Sequence, residues 1–404
     1  MNPKALEGVK VADFSWVVTG PCTTMMLAVY GATVIRIESS TKVELLRTVP
    51  PFKDKRPGIN RSGGYAQFNN EKYGITLNLS HPKGVEIAKK IISWADIVVE
   101  NFTPGTMKKC GLSYEDIIKF KPNIIMLSTC MQGQNGPRAT HPGYGGQLTG
   151  LCGFAYLCGW PDRVPVRPVG GYTDLIGPRF GAAALVAALI YRLRQGKGQY
   201  LDLSQFEAGL HFLAPVIMDY MANGRVTHRV GNRHPFWSPH GAYPCKGEDK
   251  WCVIAVSSDE EWQRLCDALG APSLTQDHRF KTFLDRKKNE EVLDKFIGEW
   301  TSKLTAHEVM SKLQRIGVPA GIVQNTEELH SDPQLVHRQH FVPLNHPELG
   351  GYTGYLPAFR LSKTPPEIKM PAPCMGEHNH YVYTEILGIS DEEFVQLLSE
   401  GVFE

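Results

Sequence analysis

The sequence predicts an α/β fold: a large, Rossmann-like domain built on a mainly parallel sheet, with a smaller α+β domain after it. Three observations predict it. Short apolar strands alternate with helical stretches through the first half of the chain, the pattern of strands buried between two helix layers. Past Glu207 the composition changes, and a turn-rich loop from Gly231 to Gly241 precedes a second set of elements. Finally, 404 residues, 42% of them hydrophobic, exceed what one ordinary core organises.

In order, Val9 to Phe14 reads as a buried strand, Ser15 to Pro21 as a loop, Cys22 to Tyr30 as a helix stopped at Gly31, and Thr33 to Glu38 as a second strand. This is a βαβ unit, whose connection is expected to be right-handed. Ligands of open α/β sheets collect at the carboxyl ends of the strands, so the Val17 to Pro21 loop and the Glu38-Ser39 end are expected to face a bound molecule, with a nucleotide the first candidate. A dinucleotide reading would make Glu38 a ribose-binding acid, but it needs Gly-x-Gly-x-x-Gly in the first loop, where only Gly20 is present. After a Pro-rich stretch, Val49 to Pro57, the alternation resumes with a strand at 72–79, a helix from Pro82 to Trp94, a strand from Ile97 to Glu100, a helix at 114–120 and a strand at 124–128. Beyond Glu207 a helix through His211 and Met218 ends near Asn223. The second domain offers strands at 251–256 and 320–323 and helices at 259–269, 292–303 and 307–316. The tail from Asp332 carries Pro turns and a last helix, Asp391 to Leu398.

Composition excludes several classes. Lys plus Arg (43) nearly balances Asp plus Glu (41), so the net charge of +2 offers no field for nucleic acid, and the expected partners are small molecules or a second copy of the chain. The N-terminus has no apolar run. The most apolar helical run, Phe180 to Tyr191, falls short of the roughly 20 residues that span a bilayer, so no membrane partner is expected and the reading is cytoplasmic. Nine cysteines, an odd number with no Cys-x-x-Cys, and fourteen scattered histidines with no His-Glu-x-x-His predict neither a disulfide framework nor a metal site.

The richest stretch is Gly171-Tyr172-Thr173-Asp174-Leu175-Ile176-Gly177-Pro178 and the apolar helix after it. Pro178 fits a first helical turn, where its missing N–H costs nothing, and an acid at that end gains roughly 0.3–1 kcal/mol from the helix dipole. Asp174 is therefore either an N-cap or a nucleophile. A basic glycine turn, Gln195-Gly196-Lys197-Gly198, then feeds a strand, Gln199 to Ser204, continuing through Gln205-Phe206-Glu207-Ala208.

Together with the entry segment Leu6-Glu7-Gly8-Val9-Lys10-Val11-Ala12-Asp13-Phe14, these segments resemble the family III CoA-transferases, the group that includes formyl-CoA, carnitine and benzylsuccinate CoA-transferases. The resemblance covers nearly the full chain. It implies that Asp174 is the nucleophile, attacking the thioester of an acyl-CoA donor and expelling CoA thiolate, with anhydride and thioester intermediates on the Asp. Coenzyme A thioester would be a substrate, with no permanently bound cofactor and no metal. The implied CoA contacts are Val17, Val18 and Thr19 in the first βα loop, Ser39, Leu77, Ser80, Asn101 and Phe102, with Lys109 where relatives usually carry Arg for the CoA phosphates. Ser39 and Ser80 stand where some relatives are basic. By local sequence alone Phe102 reads as a core aromatic and Lys109 as a solvated charge.

Tyr144 matches a family Tyr near the nucleophile that would orient the acyl carbonyl. Around 231–241 the formyl-CoA branch has a glycine run, whereas His234-Pro235-Phe236-Trp237 is bulky here, and the segment from Tyr172 to Ala184 resembles most the aromatic-acid branch that includes benzylsuccinate CoA-transferase; the two together imply a larger acid, aromatic or otherwise mid-sized. The resemblance also implies an interlocked homodimer and these boundaries: residues 1–210 as the CoA-binding domain, 211–224 as linker, 225–325 as the small domain, and 326–404 returning to complete the large one. Three alternatives stand beside it. An α-methylacyl-CoA racemase on the same fold would use an acid/base pair, with His141 the nearby histidine. Cys22, at a helix start, is a candidate thiolate nucleophile. The third is a non-catalytic CoA- or nucleotide-binding protein.

Overall fold

In the computed structural model, which describes residues 4–404, the alternating half of the chain forms one six-stranded sheet. Its strands are β1 (Lys10–Asp13), β2 (Thr33–Glu38), β3 (Lys72–Thr76), β4 (Ile97–Glu100), β5 (Ile125–Cys130) and β6 (Gln199–Ser204). They lie in the order β3-β2-β1-β4-β5-β6, every neighbouring pair parallel. Side chains alternate between faces along a strand, and the two cores divide accordingly. Ala12, Ile35, Ile75, Val98 and Met126 join Ile87, Ile91 and Ile92 of the Pro82–Trp94 helix on one face. Val11, Val34, Ile97, Val99, Ile125 and Leu127 join Leu27 and Ala28 of the Thr19–Ala28 helix and Leu185, Ala188 and Leu189 of the Tyr172–Gln195 helix on the other. A strand covered on both sides is apolar throughout, as Ile97-Val98-Val99 is.

The chain falls into two compact units. The larger takes residues up to Ala155, then Arg167–Val226 and Val336–Glu404; the smaller takes Tyr156–Val166 and Thr227–Leu335. Stretch 211–224, expected as linker, sits in the larger unit and carries the Ala214–Asn223 helix. In the smaller unit β7 (His240–Pro244), β8 (Trp251–Ala255) and β9 (Ala320–Ile322) pair antiparallel, with Trp262, Leu265, Leu293, Ile297, Val309 and Leu313 in the core beside them. β7 begins inside the stretch expected to be loop.

The return segment holds a hairpin not anticipated from its Pro turns, β10 (Phe341–His346) with β11 (Gly350–Tyr355). Its end packs under β3: Tyr383 donates its hydroxyl to the Thr76 carbonyl at 2.7 Å and stacks on Phe403 with ring centres 3.8 Å apart.

The apolar helix is longer than the run Phe180 to Tyr191 read from sequence. It runs 24 residues, Tyr172–Gln195, and is long and apolar enough to cross a membrane by length and composition, so the length argument made from sequence falls. Its Leu185, Ala188 and Leu189 face packs against the sheet as a core helix does.

Glu38 is not a free ribose-binding acid. It is buried and takes Arg47 bidentate, Nε and Nη2 each donating at 2.7 Å, with the Tyr65 hydroxyl also at 2.7 Å. Burial works against its charge, but Arg47 and Arg36 hold the carboxyl below its ordinary range.

Candidate active site

The carboxyl end of β1 is fixed by a buried carboxylate. Asp13 accepts the Ser15 N–H at 3.0 Å, the Thr24 hydroxyl at 2.6 Å and Lys72 Nζ at 3.0 Å, and Lys72 also donates to the Pro21 carbonyl at 2.8 Å. The loop leaving this anchor is gripped from β4. Asn101 Oδ1 accepts the Trp16 N–H at 2.6 Å and its Nδ2 donates to the Trp16 carbonyl at 2.7 Å, while Phe102 meets the Trp16 ring edge-on at 5.6 Å. Between these clamps Val17 is held at φ 64°, a left-handed conformation that a β-branched residue adopts only when its surroundings impose it. The order in which the chain adds strands reverses between β1 and β4, and ligands of such sheets sit at that point.

Asp174 enters from the far side. It is neither N-cap nor first residue: Gly171 is the N-cap, Asp174 the third residue of the helix, and Pro178 lies inside it, where it cannot donate to the Asp174 carbonyl. The carboxylate therefore stands in the first turn, at the positive end of the dipole. Its seat is made by absent side chains. A Cβ on Gly145 would lie 2.2 Å from Asp174 Oδ2, and one on Gly171 2.3 Å from the same atom. The glycine-rich sequences around 143–146 and 170–171 thus let two backbone segments close on the carboxyl group. Burial raises its pKa to about 6, with the Thr19 hydroxyl pulling the other way. Among the described residues it has no ion-pair partner.

A cavity of about 540 Å³ brings together much of the expected site: Val17, Val18, Thr19, Asn101, Phe102, Tyr144 and Asp174, with His141 in the same wall. Tyr144 is 61% exposed and precedes the Gly145–Leu151 helix, its N–H capped by Gln147 Oε1 at 2.8 Å. Asn101 lines the cavity, but both ends of its amide are used by Trp16, so it positions the loop.

The other expected contacts lie elsewhere. Leu77 is buried in the core under the sheet. Ser39 donates to Glu404 Oε2 at 2.7 Å. Ser80 is exposed in the turn before the Pro82–Trp94 helix, and Lys109 is exposed at the end of a short helix, Thr106–Lys109. Cys22 is buried in the fourth position of its helix, and burial pushes its thiol up, away from the thiolate a nucleophile needs.

Two residues that sequence reading passed over stand at the site. Gln205, first residue of the Gln205–Leu210 helix, lines the cavity. Arg167 sets Nη1 where a Cβ on Gly146 would be only 2.2 Å away, one residue from the Asp174 seat. The available signal for Gln205 was its place at the carboxyl end of a parallel strand.

A desolvated carboxylate, two close backbones, an exposed Tyr and a hollow of about 540 Å³ suit attack on an activated carbonyl. The family model for CoA-transferase family III matches residues 6–379. The succinyl-CoA–D-citramalate CoA-transferase of Chloroflexus aurantiacus is 31% identical over 99% of this chain and 98% of its own length. The human succinyl-CoA:glutarate CoA-transferase is 31% identical over 99% of this chain and 90% of its own. Among solved structures, a CaiB/BaiF family protein from Brucella suis superimposes with a TM-score of 0.88 at 29% identity, covering 96% of this chain and all of that one (100%).

Proposed function

The chain belongs to CoA-transferase family III and is a CoA-transferase, and from that premise we propose that Asp174 carries the transfer and that the acids exchanged are small dicarboxylic acids. An Asp174 oxygen attacks the thioester carbonyl carbon, the C–S bond breaks, and CoA leaves as thiolate, giving an aspartyl–acyl anhydride. The thiolate attacks the aspartyl carbonyl, releasing the donor acid as carboxylate and leaving an aspartyl–CoA thioester. The acceptor carboxylate displaces CoA thiolate from it, and the thiolate then takes the new acyl group, restoring the Asp174 carboxylate. No net proton is consumed, which suits a site built around one carboxylate.

The observation that carries this reading is the Asp174 carboxyl at the cavity, seated on bare Gly145 and Gly171 and without a neutralising cation among the described residues. Dicarboxylic acids are favoured by the relatives' names and by Arg167, whose guanidinium beside Gly146 would pair with a second carboxylate. The aromatic-acid expectation drew on the bulk of the 231–241 loop and on the likeness of the Tyr172 to Ala184 segment to the aromatic-acid branch. In that loop His234 and Trp237 stack on each other at 4.2 Å within the smaller unit, while Phe236 stays 73% exposed and lines no part of the Asp174 cavity.

Mass spectrometry tests the reading: with succinyl-CoA and a panel of free acids, new acyl-CoA should form fastest with C4–C6 dicarboxylates, and hydroxylamine should trap the acylated enzyme at Asp174. Monocarboxylic or aromatic acceptors outrunning these would overturn the substrate class. His141 in the cavity wall keeps one competing reading, racemisation, in view. Transfer leaves the α-hydrogen in place, so rapid α-deuteration in heavy water without acyl exchange would favour the racemase.

We also propose a homodimer in a reducing, cytoplasmic compartment. The nine cysteines are all unpaired. The Ala214–Asn223 helix has no buried residue and shows Met218, Tyr220 and Met221 to solvent, more apolar surface than one helix ordinarily leaves uncovered.

A further inference from the structure

Resting on the Asp174 reading, we propose that Gln205 is a second catalytic residue, whose side-chain N–H binds the oxygen of the substrate carbonyl that Asp174 attacks. Gln205 follows its N-cap Ser204 at the carboxyl end of β6. It is only 5% exposed, yet it lines the Asp174 cavity. Its Oε1 is buried with no hydrogen-bond partner among the described residues, an arrangement a protein interior seldom tolerates. The other amide in the wall, Asn101, is committed at both ends to Trp16. Gln205 is the uncommitted one.

Its approach to the nucleophile is prepared by Gly177, three residues past Asp174 and so on the same helix face. A Cβ there would lie 3.3 Å from Gln205 Cγ and 3.0 Å from Thr19 Cγ2. The bare glycine lets both side chains lie against the face that carries the carboxylate. An amide offers a donor at one end and an acceptor at the other, and a half-turn about its last bond exchanges them. When the Asp174 oxygen bonds to the thioester carbon, the carbonyl π pair moves onto oxygen; when the C–S bond breaks, it returns and CoA leaves with the bonding pair. A fixed N–H facing that oxygen lowers the barrier in the charged stage and keeps its own proton.

Gln205→Leu removes the donor, and Gln205→Glu keeps the shape while replacing the N–H with a second carboxylate. Both should lower kcat by about 10²–10³ while KM for acyl-CoA moves less than threefold. Asp174→Asn runs in parallel, with circular dichroism on every variant. If Asp174→Asn is inactive while a folded Gln205→Glu or Gln205→Leu keeps kcat within threefold of wild type, Gln205 is overturned and Asp174 stands. A loss confined to KM would equally reject a role in the charged stage. If Asp174→Asn turns over normally, both assignments fall together.

Discussion

Replacing Asp174 by Asn tests the whole physical account of the site, because activity and stability should move in opposite directions. The carboxyl is raised from 3.8 to about 6 by burial, the Thr19 hydroxyl only partly offsetting it. Its folded-state pKa is thus above the unfolded one, and the folded chain holds an extra proton between those two values. Stability from this group is fully present below about 3.8, falls as pH rises through the window, and levels off above about 6. The gap corresponds to at most about 3 kcal/mol at neutral pH, less where solvent reaches the carboxylate. Asn has the same shape and no charge to desolvate. Denaturant unfolding at pH 4 and pH 7 should therefore show Asp174→Asn about 1–3 kcal/mol more stable than wild type at pH 7, with the difference vanishing near pH 4. The wild-type kcat/KM should rise with pH as the nucleophile ionises, reaching about ten times its pH 5 value by pH 7. A flat profile over that range, or a variant less stable than wild type at pH 7, would refute the desolvated-nucleophile argument.

Three further outcomes are expected. Gly145→Ala places a Cβ 2.2 Å from Asp174 Oδ2 and 2.4 Å from Cγ, so the carboxyl must swing away and kcat should fall on the order of 10² with CoA binding retained; unchanged turnover would show that the glycine seat does not set the geometry. Arg167→Gln should raise KM for a dicarboxylic acceptor roughly tenfold, the worth of about 1.4 kcal/mol, and leave a monocarboxylic one unaffected. A loss equal for both acids would remove Arg167 from recognition. Leu193→Glu with Met221→Glu charges two side chains that are 85% and 72% exposed; light scattering should then show a shift from dimer to monomer, and an unchanged mass would place any interface elsewhere.

How much of this was legible in the sequence follows from what each pattern encodes. Thr33–Glu38, Pro82–Trp94 and Ile97–Glu100 were readable to the residue, since a strand covered on both faces is apolar along its length and Pro82 marks a helix start. The β10–β11 hairpin was hidden, because Pro343 and Gly350-Gly351 resemble punctuation, and only pairing with each other makes these segments strands. Pro178 pointed to a helix start that lies six residues earlier at Tyr172, which moved Asp174 from the cap into the first turn.

The site divides along the same line. Sequence can place a residue near a strand's carboxyl end, but not on a given side of it. Val17 and Asn101 turn toward the switch point between β1 and β4, and both line the cavity. Leu77, equally close to the end of β3, turns into the core, and its N–H is taken by the Glu38 carbonyl at 2.8 Å. Ser39 at the end of β2 is held by Glu404. Gln205 stands just past β6, the edge strand, where the rule that singled out Val17 applies with equal force. From sequence it reads only as the strand running on into Gln205-Phe206-Glu207-Ala208, with nothing in the residues to mark it as chemical. What marks it as chemical is visible only in three dimensions: a buried amide oxygen left without a partner among the described residues, in the same cavity wall as a half-buried carboxylate and lying against a helix whose Gly177 is bare.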